Sequence, residues 1–277
     1  MPELPEVEIV VRSLDALMRG RMIEAAELRR KRLAPGTTPK TFARRLARST
    51  VNFVHRRGKH ILFDLDNNYT LITHLRMSGR FMLLDGEQEE PKFAHAVFHL
   101  DGSERLVFQD QRHFGLMKIA ETSRLFEAKE LAKLAPEPFS DGFSIDYLHR
   151  LLKGTKRNIK PLLLDQTKVC GVGNIYASEA MFIAGVRPTV RANSIPKRKA
   201  ELLREAIIQV MNATIAIGEN IALNRSNIGG NIYGPNADGD WLVYGREGQP
   251  CPKCATPIAR IVQGTRSTFY CKRCQRR

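Results

Sequence analysis

The sequence predicts an α+β chain in three parts: a mainly β N-terminal region closing as a β-sandwich with one helix attached, a helical middle, and a short cysteine-bearing hairpin at the end. Three observations carry this reading. Short β-like runs with turn signals fill roughly the first 120 residues. Helical spacing takes over from about Ser144 to Gly218, and four of the five cysteines lie in the last 27 residues. With 277 residues, 43% of them hydrophobic, the chain can bury a core, more naturally as two or three units than as one.

The first element is a helix over residues 5–19. Val7, Val10, Val11, Leu14 and Leu17 recur at helical spacing, Pro5 suits the first turn and Gly20 the end. VNFVHRRGKHILFDLD reads as a hairpin turning at Arg57-Gly58. TLITHL and HAVFHLDGSERLVFQ continue the β pattern, the second around an Asp-Gly turn. LAPEPFSDGF, with its prolines and Gly/Ser breaks, is a linker. The helical region beyond it is interrupted at CGVGNIY and around Arg187-Pro188. From Asn220 to Asp240 the chain is rich in Asn and Gly and nearly aperiodic: a plain surface loop, or one of the long loops that carry function in compact proteins.

Lys and Arg number 44 against 29 Asp and Glu, a formal net charge of +15, with a pI near 9.9. Such an excess attracts a polyanion, nucleic acid first and an anionic membrane surface second. No apolar run approaches the ~20 residues of a membrane span. The N-terminus lacks the charged-then-apolar profile of a secretory signal. A cytoplasmic, nucleoid-associated protein is therefore expected. CPKC…CKRC places Cys251, Cys254, Cys271 and Cys274 in a C-x2-C-x16-C-x2-C pattern. Two knuckles joined by a hairpin can set four thiolates around one tetrahedral zinc, closed to water and so structural. Two disulfides are the competing reading, which a cytosolic chain disfavours. Arg260, Arg266, Lys272, Arg273, Arg276 and Arg277 surround the cysteines, as a solvated tail or as a surface resting on phosphates.

Eight segments occur in order along the chain: PELPEVE, HRRGKHILFDL, THLRMSGR, DQRHFG, LAPEPFS, IKPLLLDQ, VCGVGNIYASE, and VYGREGQPC followed by RSTFYCKRCQ. Together they resemble formamidopyrimidine-DNA glycosylase, the base-excision family that removes oxidised purines, within the wider Fpg/Nei group. The resemblance implies a catalytic β-sandwich domain over 2–120, a helix–two-turn–helix DNA-binding domain over 136–225 and an Fpg-type zinc finger over 242–276. It places double-stranded DNA carrying oxidised bases or abasic sites in the cleft between them. It also implies a monomer, one structural zinc ion, and a glycosylase that cuts the strand by β,δ-elimination.

The resemblance carries roles onto individual residues. Pro2, freed by removal of Met1, is the implied nucleophile: its secondary amine attacks C1′ of the deoxyribose and forms an iminium. An α-amino group titrates at about 7.7–8, so a useful fraction is neutral near neutral pH. Glu3 is the implied acid for the ring oxygen, supported by Glu6 one turn on; taken alone, both are ordinary acids at a helix N-terminus. Lys59 in the RRGK turn is implied in phosphate contact and β-elimination, and Arg266 in phosphate grip and δ-elimination; taken alone, Lys59 is a surface lysine in a hairpin. Asn174 holds a phosphate at a helix N-terminus or caps that helix. His95, Arg112 and Lys156 match further DNA contacts. Met77 and Phe114 match the wedge that fills the gap left by a flipped nucleotide, with Arg112 meeting the orphaned base; taken alone, they are core residues.

Two departures stand out. DQRHFG puts His113 where family members often have a second arginine, which makes that charge conditional on pH. The loop that caps the flipped base usually begins GGTTL, and the stretch over 218–240, GENIALNRSNIGGNIYGPNADGD, lacks that signature. Lesion contacts are accordingly not carried onto it. An endonuclease VIII-like preference for oxidised pyrimidines is the runner-up, favoured by the loop and opposed by PELPE in place of PEGPE. From another class, a non-catalytic zinc-finger DNA-binding protein would share the charge and the metal, but would leave Pro2, Glu3 and Lys59 with no reason to coexist.

Overall fold

The computed structural model describes residues 1–218, 224–228 and 241–276. Two compact units emerge, Met1–Ala132 with Ile217–Gly234, and Lys133–Ala216 with Pro235–Arg277. In the first, helix α1 (Leu4–Met18) is started by local chemistry. Glu3 is its N-cap, giving its N–H to Glu6 Oε2 at 2.8 Å, and the Glu3 carboxylate receives the Glu6 N–H in return. Val7, Val10, Val11, Leu14 and Met18 are buried along one face. Gly20, with φ +77°, turns the chain out of the helix.

Eight antiparallel strands follow: β1 (Met22–Leu28), β2 (Ser49–Arg57), β3 (His60–Leu65), β4 (Tyr69–His74), β5 (Gly79–Leu84), β6 (Ala94–Leu100), β7 (Arg105–Asp110) and β8 (Leu116–Glu121). Their hydrogen-bonded order is β5-β7-β6-β1-β2-β3-β4-β8. β1 and β2 share only the pairs Met22–Thr50 and Ile23–Ser49, and the sheet folds over at this narrow joint. Phe63 of β3 and Phe81 of β5 lie five places apart in the strand order. On a flat sheet that is roughly 24 Å, yet their rings meet at 5.6 Å. The result is the expected β-sandwich, filled by Phe63, Phe81, Phe98 and Phe108 together with the apolar face of α1. A second helix, α2 (Pro39–Leu46), adds Phe42 and Leu46 to this core.

The β2–β3 hairpin turns one residue later than the sequence reading placed it. Arg57 pairs with His60, so the turn residues are Gly58 and Lys59. Gly58 takes φ +60°, the conformation a two-residue hairpin turn asks of its first residue.

The second unit holds α3 (Ile145–Lys153), α4 (Ile159–Leu163), α5 (Asn174–Ile183) and most of α6 (Lys197–Gly218). Between α4 and α5 the chain makes two turns, clamped by one side chain. Gln166 Oε1 accepts the Gly171 N–H at 2.9 Å, while Nε2 donates to Leu164 O at 3.0 Å and Val172 O at 2.8 Å. This is the expected helix–two-turn–helix. A two-stranded hairpin, β9 (Ala259–Gln263) and β10 (Arg266–Tyr270), completes the unit. Among the described residues, no helix is long and apolar enough to cross a membrane.

Two buried histidines limit the acid tolerance of the sandwich. His60 and His74 are 8% and 7% exposed, with ring centroids 4.7 Å apart. Burial, with a contribution from Arg76, holds His60 down to about 4 and His74 well below the imidazole range. Their folded values are depressed, so the unfolded chain binds more protons. Stability is therefore full above the ordinary value of 6.5 and is lost as pH falls toward 4. His60 alone accounts for about 3 kcal/mol at the acid end. Urea unfolding should accordingly show a midpoint that drops across this window, and less steeply in His60→Gln. Identical pH profiles for the two proteins would remove His60 as the cause.

Candidate functional site

Cys251 and Cys254 form a knuckle before β9, and Cys271 and Cys274 a second one after β10. The four sulfurs lie within 4.8 Å of one another. Cys251 and Cys274 are 3.8 Å apart, and Cys254 and Cys271 3.5 Å. A disulfide needs about 2 Å; sulfurs at ~2.3 Å from a tetrahedral zinc stand roughly 3.8 Å apart. The N–H groups of Lys253 and Cys274 point at the sulfurs of Cys251 and Cys271, each at 3.4 Å. Burial, then the neighbouring thiols, push Cys271 and Cys274 up, while hydrogen bonds with Thr256 hold Cys254 down to about 6; a cation among the four sulfurs would favour the thiolate of each. This donor set fits one zinc ion and leaves no position for a water.

Buried polar groups tie the hairpin to the helices of its own unit. Gln275, fully buried, donates to Val186 O at 2.9 Å and accepts the Cys271 N–H at 2.8 Å. Lys160, also fully buried, donates to Ser178 Oγ at 3.0 Å and Ser267 O at 3.1 Å. Asn174 Nδ2 donates to that same Ser267 carbonyl at 3.1 Å. Glu179 accepts the N–H groups of Leu242, Val243 and Tyr244 at 2.8, 3.0 and 2.8 Å. Arg266, exposed at the first position of β10, is thereby held near the start of α5. Gly173, rather than Asn174, is the N-cap of α5. The capping alternative for Asn174 therefore fails. Lys156 is exposed between α3 and α4. Lys160, Glu179 and Gln275 lie in segments the sequence reading quoted, but nothing local marks them as anchors.

In the sandwich unit, Pro2, Glu3 and Glu6 are buried at the start of α1, and Lys59 is only 5% exposed. Arg56 joins the two places. Its Nε donates to Glu8 Oε2 at 2.9 Å and its Nη1 to Gly58 O at 3.0 Å, linking the first turns of α1 to the turn that carries Lys59. Burial pushes the Glu8 carboxyl up, but Arg56 and then Arg12 outweigh it and hold Glu8 below the usual carboxylate range. Lys59 is thus not the surface lysine that its turn alone suggests.

Met77 and Arg112–Phe114 meet because β5 begins where β7 ends: Gly79 pairs with Asp110. Asp110, fully buried, accepts the Ser78 hydroxyl, the Arg112 N–H at 3.2 Å and the Gly115 N–H at 2.6 Å. Ser78 Oγ also receives the Arg112 N–H at 3.0 Å. Phe108 lies beneath both turns. A Cβ on Gly79 or Gly115 would approach it within 2.7 or 2.8 Å, which explains the glycines of MSGR and HFG. Met77 and Phe114 are 39% and 55% exposed rather than core, and the Arg112 guanidinium stands 5.3 Å from the centre of the Phe114 ring. His95 is buried one strand away, with Nε2 2.7 Å from His113 Nδ1. The sequence reading had no signal for Asp110 and Ser78 as the clamp, since 32 residues separate them. The capping-loop question falls largely outside the described residues, of which only 224–228 are seen there.

Comparison with known proteins places this geometry. Residues 1–117 match the formamidopyrimidine-DNA glycosylase N-terminal domain, 134–226 the formamidopyrimidine-DNA glycosylase H2TH domain, and 248–277 the zinc finger found in FPG and IleRS. The formamidopyrimidine-DNA glycosylase of Bacillus licheniformis is 39% identical over the whole of both chains. The Lactococcus lactis protein, solved in complex with DNA containing N7-benzyl-Fapy-dG, is 30% identical over the whole of both chains, with a TM-score of 0.90. The same L. lactis protein has also been solved with DNA containing an oxidised pyrimidine, at a TM-score of 0.89. From its first residues to its zinc finger, the chain belongs to the formamidopyrimidine-DNA glycosylase family.

Proposed function

We propose that this chain is a bifunctional DNA glycosylase and abasic-site lyase of base excision repair. It removes 8-oxoguanine and formamidopyrimidines from double-stranded DNA and then cuts the strand. The observation that carries this reading is that Pro2, Glu3 and Glu6 are buried at the start of α1, while Arg56 ties Glu8 of the same helix to the turn bearing the buried Lys59. A helix start built only for stability has no use for a buried lysine turn tied to it by an arginine.

The chemistry follows from these groups. With Met1 removed, the Pro2 nitrogen attacks C1′, and the bond from C1′ to the base breaks as Glu3 protonates the ring oxygen. The ring opens to an iminium between Pro2 and C1′. That cation acidifies C2′; loss of its proton expels the 3′-phosphate, and a second elimination expels the 5′-phosphate. Lys59 serves the first elimination and Arg266 the second. Asn174 holds the DNA backbone and Lys156 and His95 make further DNA contacts, while Met77 and Phe114 enter the gap left by the flipped nucleotide and Arg112 meets the orphaned base. The working division is catalysis over 2–120, the helix–two-turn–helix over 136–225 and the finger over 242–276, acting on the nucleoid in the cytoplasm.

Preference for oxidised pyrimidines is the second reading, favoured by the missing GGTTL signature. One experiment separates the readings. Duplexes carrying 8-oxoguanine opposite cytosine, a formamidopyrimidine, an oxidised pyrimidine or an abasic site are incubated with the enzyme and borohydride, which reduces the iminium to a stable amine. Cross-linking to the first two and to abasic DNA is the expected pattern. Cross-linking to the pyrimidine and abasic duplexes alone would favour the second reading. No cross-link with any duplex, from protein beginning at Pro2, would leave a non-catalytic DNA-binding protein.

A further inference from the structure

Two exposed turns of the sandwich unit are held by one buried acid. Gly79 pairs with Asp110, which brings the turn before β5 alongside the turn after β7. Among the described residues, three donors satisfy the Asp110 carboxylate, and all three belong to these turns. The Ser78 hydroxyl and the Arg112 N–H share Oδ1, the latter at 3.2 Å, and the Gly115 N–H takes Oδ2 at 2.6 Å. Ser78 Oγ also receives the Arg112 N–H, at 3.0 Å, so the serine hydroxyl bridges the two turns directly.

The backbone of both turns is held where it would not rest by itself. Arg76, next to Met77, and His113, between Arg112 and Phe114, have φ of 56° and 61°. Left-handed backbone is uncommon outside glycine and persists only where the surroundings over-determine it. Here the Arg76 N–H is given to His74 Nδ1 at 2.9 Å and the His113 N–H to the Asp110 carbonyl at 3.3 Å. The Phe108 ring lies so close beneath Gly79 and Gly115 that neither turn can sink toward the core.

What this framework holds still is not core. Met77 and Phe114 stand out into solvent, and Arg112 is exposed with its guanidinium against the Phe114 ring. An apolar side chain left in water gives the fold little in return for being fixed. It gains on binding instead: ordering lost at folding is not lost again when the side chains enter DNA, where unstacking already opposes them.

We propose that Asp110 and Ser78 are positioning residues of the wedge. By locking the Met77 turn to the Arg112–Phe114 turn, they deliver the three side chains into the gap as one preformed unit. Filling of the gap, rather than the chemistry at C1′, therefore depends on them. This rests on the wedge reading under the proposed function.

The test uses the full zinc-loaded chain and a duplex whose tetrahydrofuran abasic analogue faces 2-aminopurine, a base whose fluorescence reports its stacking. Rapid mixing at saturating protein gives the rate at which the gap is filled. Asp110→Asn keeps the shape of the side chain but turns one acceptor into a donor facing an N–H, and Ser78→Ala removes the bridge. Each should slow the fluorescence change about tenfold, the effect of one or two misplaced buried hydrogen bonds. Ser78→Thr, which keeps the hydroxyl, should stay near the wild-type rate. Cleavage of a natural abasic duplex and the melting temperature of Ser78→Ala should change little, by about twofold and about 2 °C at most. A wild-type fluorescence rate in both Asp110→Asn and Ser78→Ala would overturn the proposal. So would a loss in Ser78→Ala matched by an equal loss of abasic cleavage and a large fall in melting temperature, since the clamp would then serve the fold alone. An unchanged rate in Met77→Ala and Phe114→Ala would instead overturn the wedge reading itself.

Discussion

An extra residue placed ahead of Pro2 is expected to abolish both cross-linking under borohydride and strand cleavage, by about a thousandfold or more. The substitution leaves every side chain in place. It converts the terminal amine into an amide, whose nitrogen lone pair is delocalised into the carbonyl and does not attack C1′. Binding to a duplex carrying a tetrahydrofuran abasic analogue, which cannot form the iminium, should change far less, because Lys156, Asn174 and Arg266 belong to the other compact unit. That contrast separates loss of the nucleophile from loss of the fold. Buried packing around Pro2 and Glu3 makes a second control necessary. Pro2→Gly keeps a terminal amine, although a primary one, and should retain part of the cross-linking. Full activity in the extended protein, with the extra residue verified by mass spectrometry, would remove Pro2 from the chemistry.

Cys271→Ser should reduce bound zinc from one ion per chain to nearly none and unfold the β9–β10 hairpin. A structural zinc site contributes on the order of 10 kcal/mol to the fold around it. The hairpin has little else of its own: Cys251, Cys271, Ile258 and Val243 make up its small apolar cluster, with Phe182 of α5 beneath. The main-chain N–H of residue 271 survives the substitution, but without the metal it is no longer held in an ordered knuckle, which loosens the hydrogen bond to Gln275 and, through Gln275, the tie to Val186. Arg266 then loses its fixed position, and affinity for duplex DNA should fall on the order of a hundredfold. The sandwich should survive, because the sulfurs and the sandwich core belong to different compact units. Retention of zinc by the serine variant, or DNA affinity equal to wild type after its loss, would contradict this account of the finger.

The features legible in the sequence are those set by neighbours a few residues apart. The zinc ligands show as two C-x2-C pairs because one turn sets the geometry of each pair. The helix α1 shows through its apolar spacing, with Pro5 near its start and Gly20 at its end, and the two hairpins through Arg-Gly and Asp-Gly turns. Even there the register needed the fold: cross-strand pairing of Arg57 with His60 moved the turn onto Gly58-Lys59. Strands β1, β5 and β8 carried no turn dipeptide to announce them, and their place depends on which partner covers them. The family resemblance named Met77, Arg112 and Phe114, but no local pattern says that they meet. That was decided by Gly79 pairing with Asp110, and by a buried carboxylate clamping two turns from distant parts of the chain. Likewise the turn bearing Lys59 is tied to α1 because Arg56 reaches Glu8, and His113 faces His95 because β6 and β7 are neighbours. Local spacing encodes what one turn or one helix can build. Contacts that close over tens of residues depend on the packing of the whole sandwich, and only the tertiary structure could decide them.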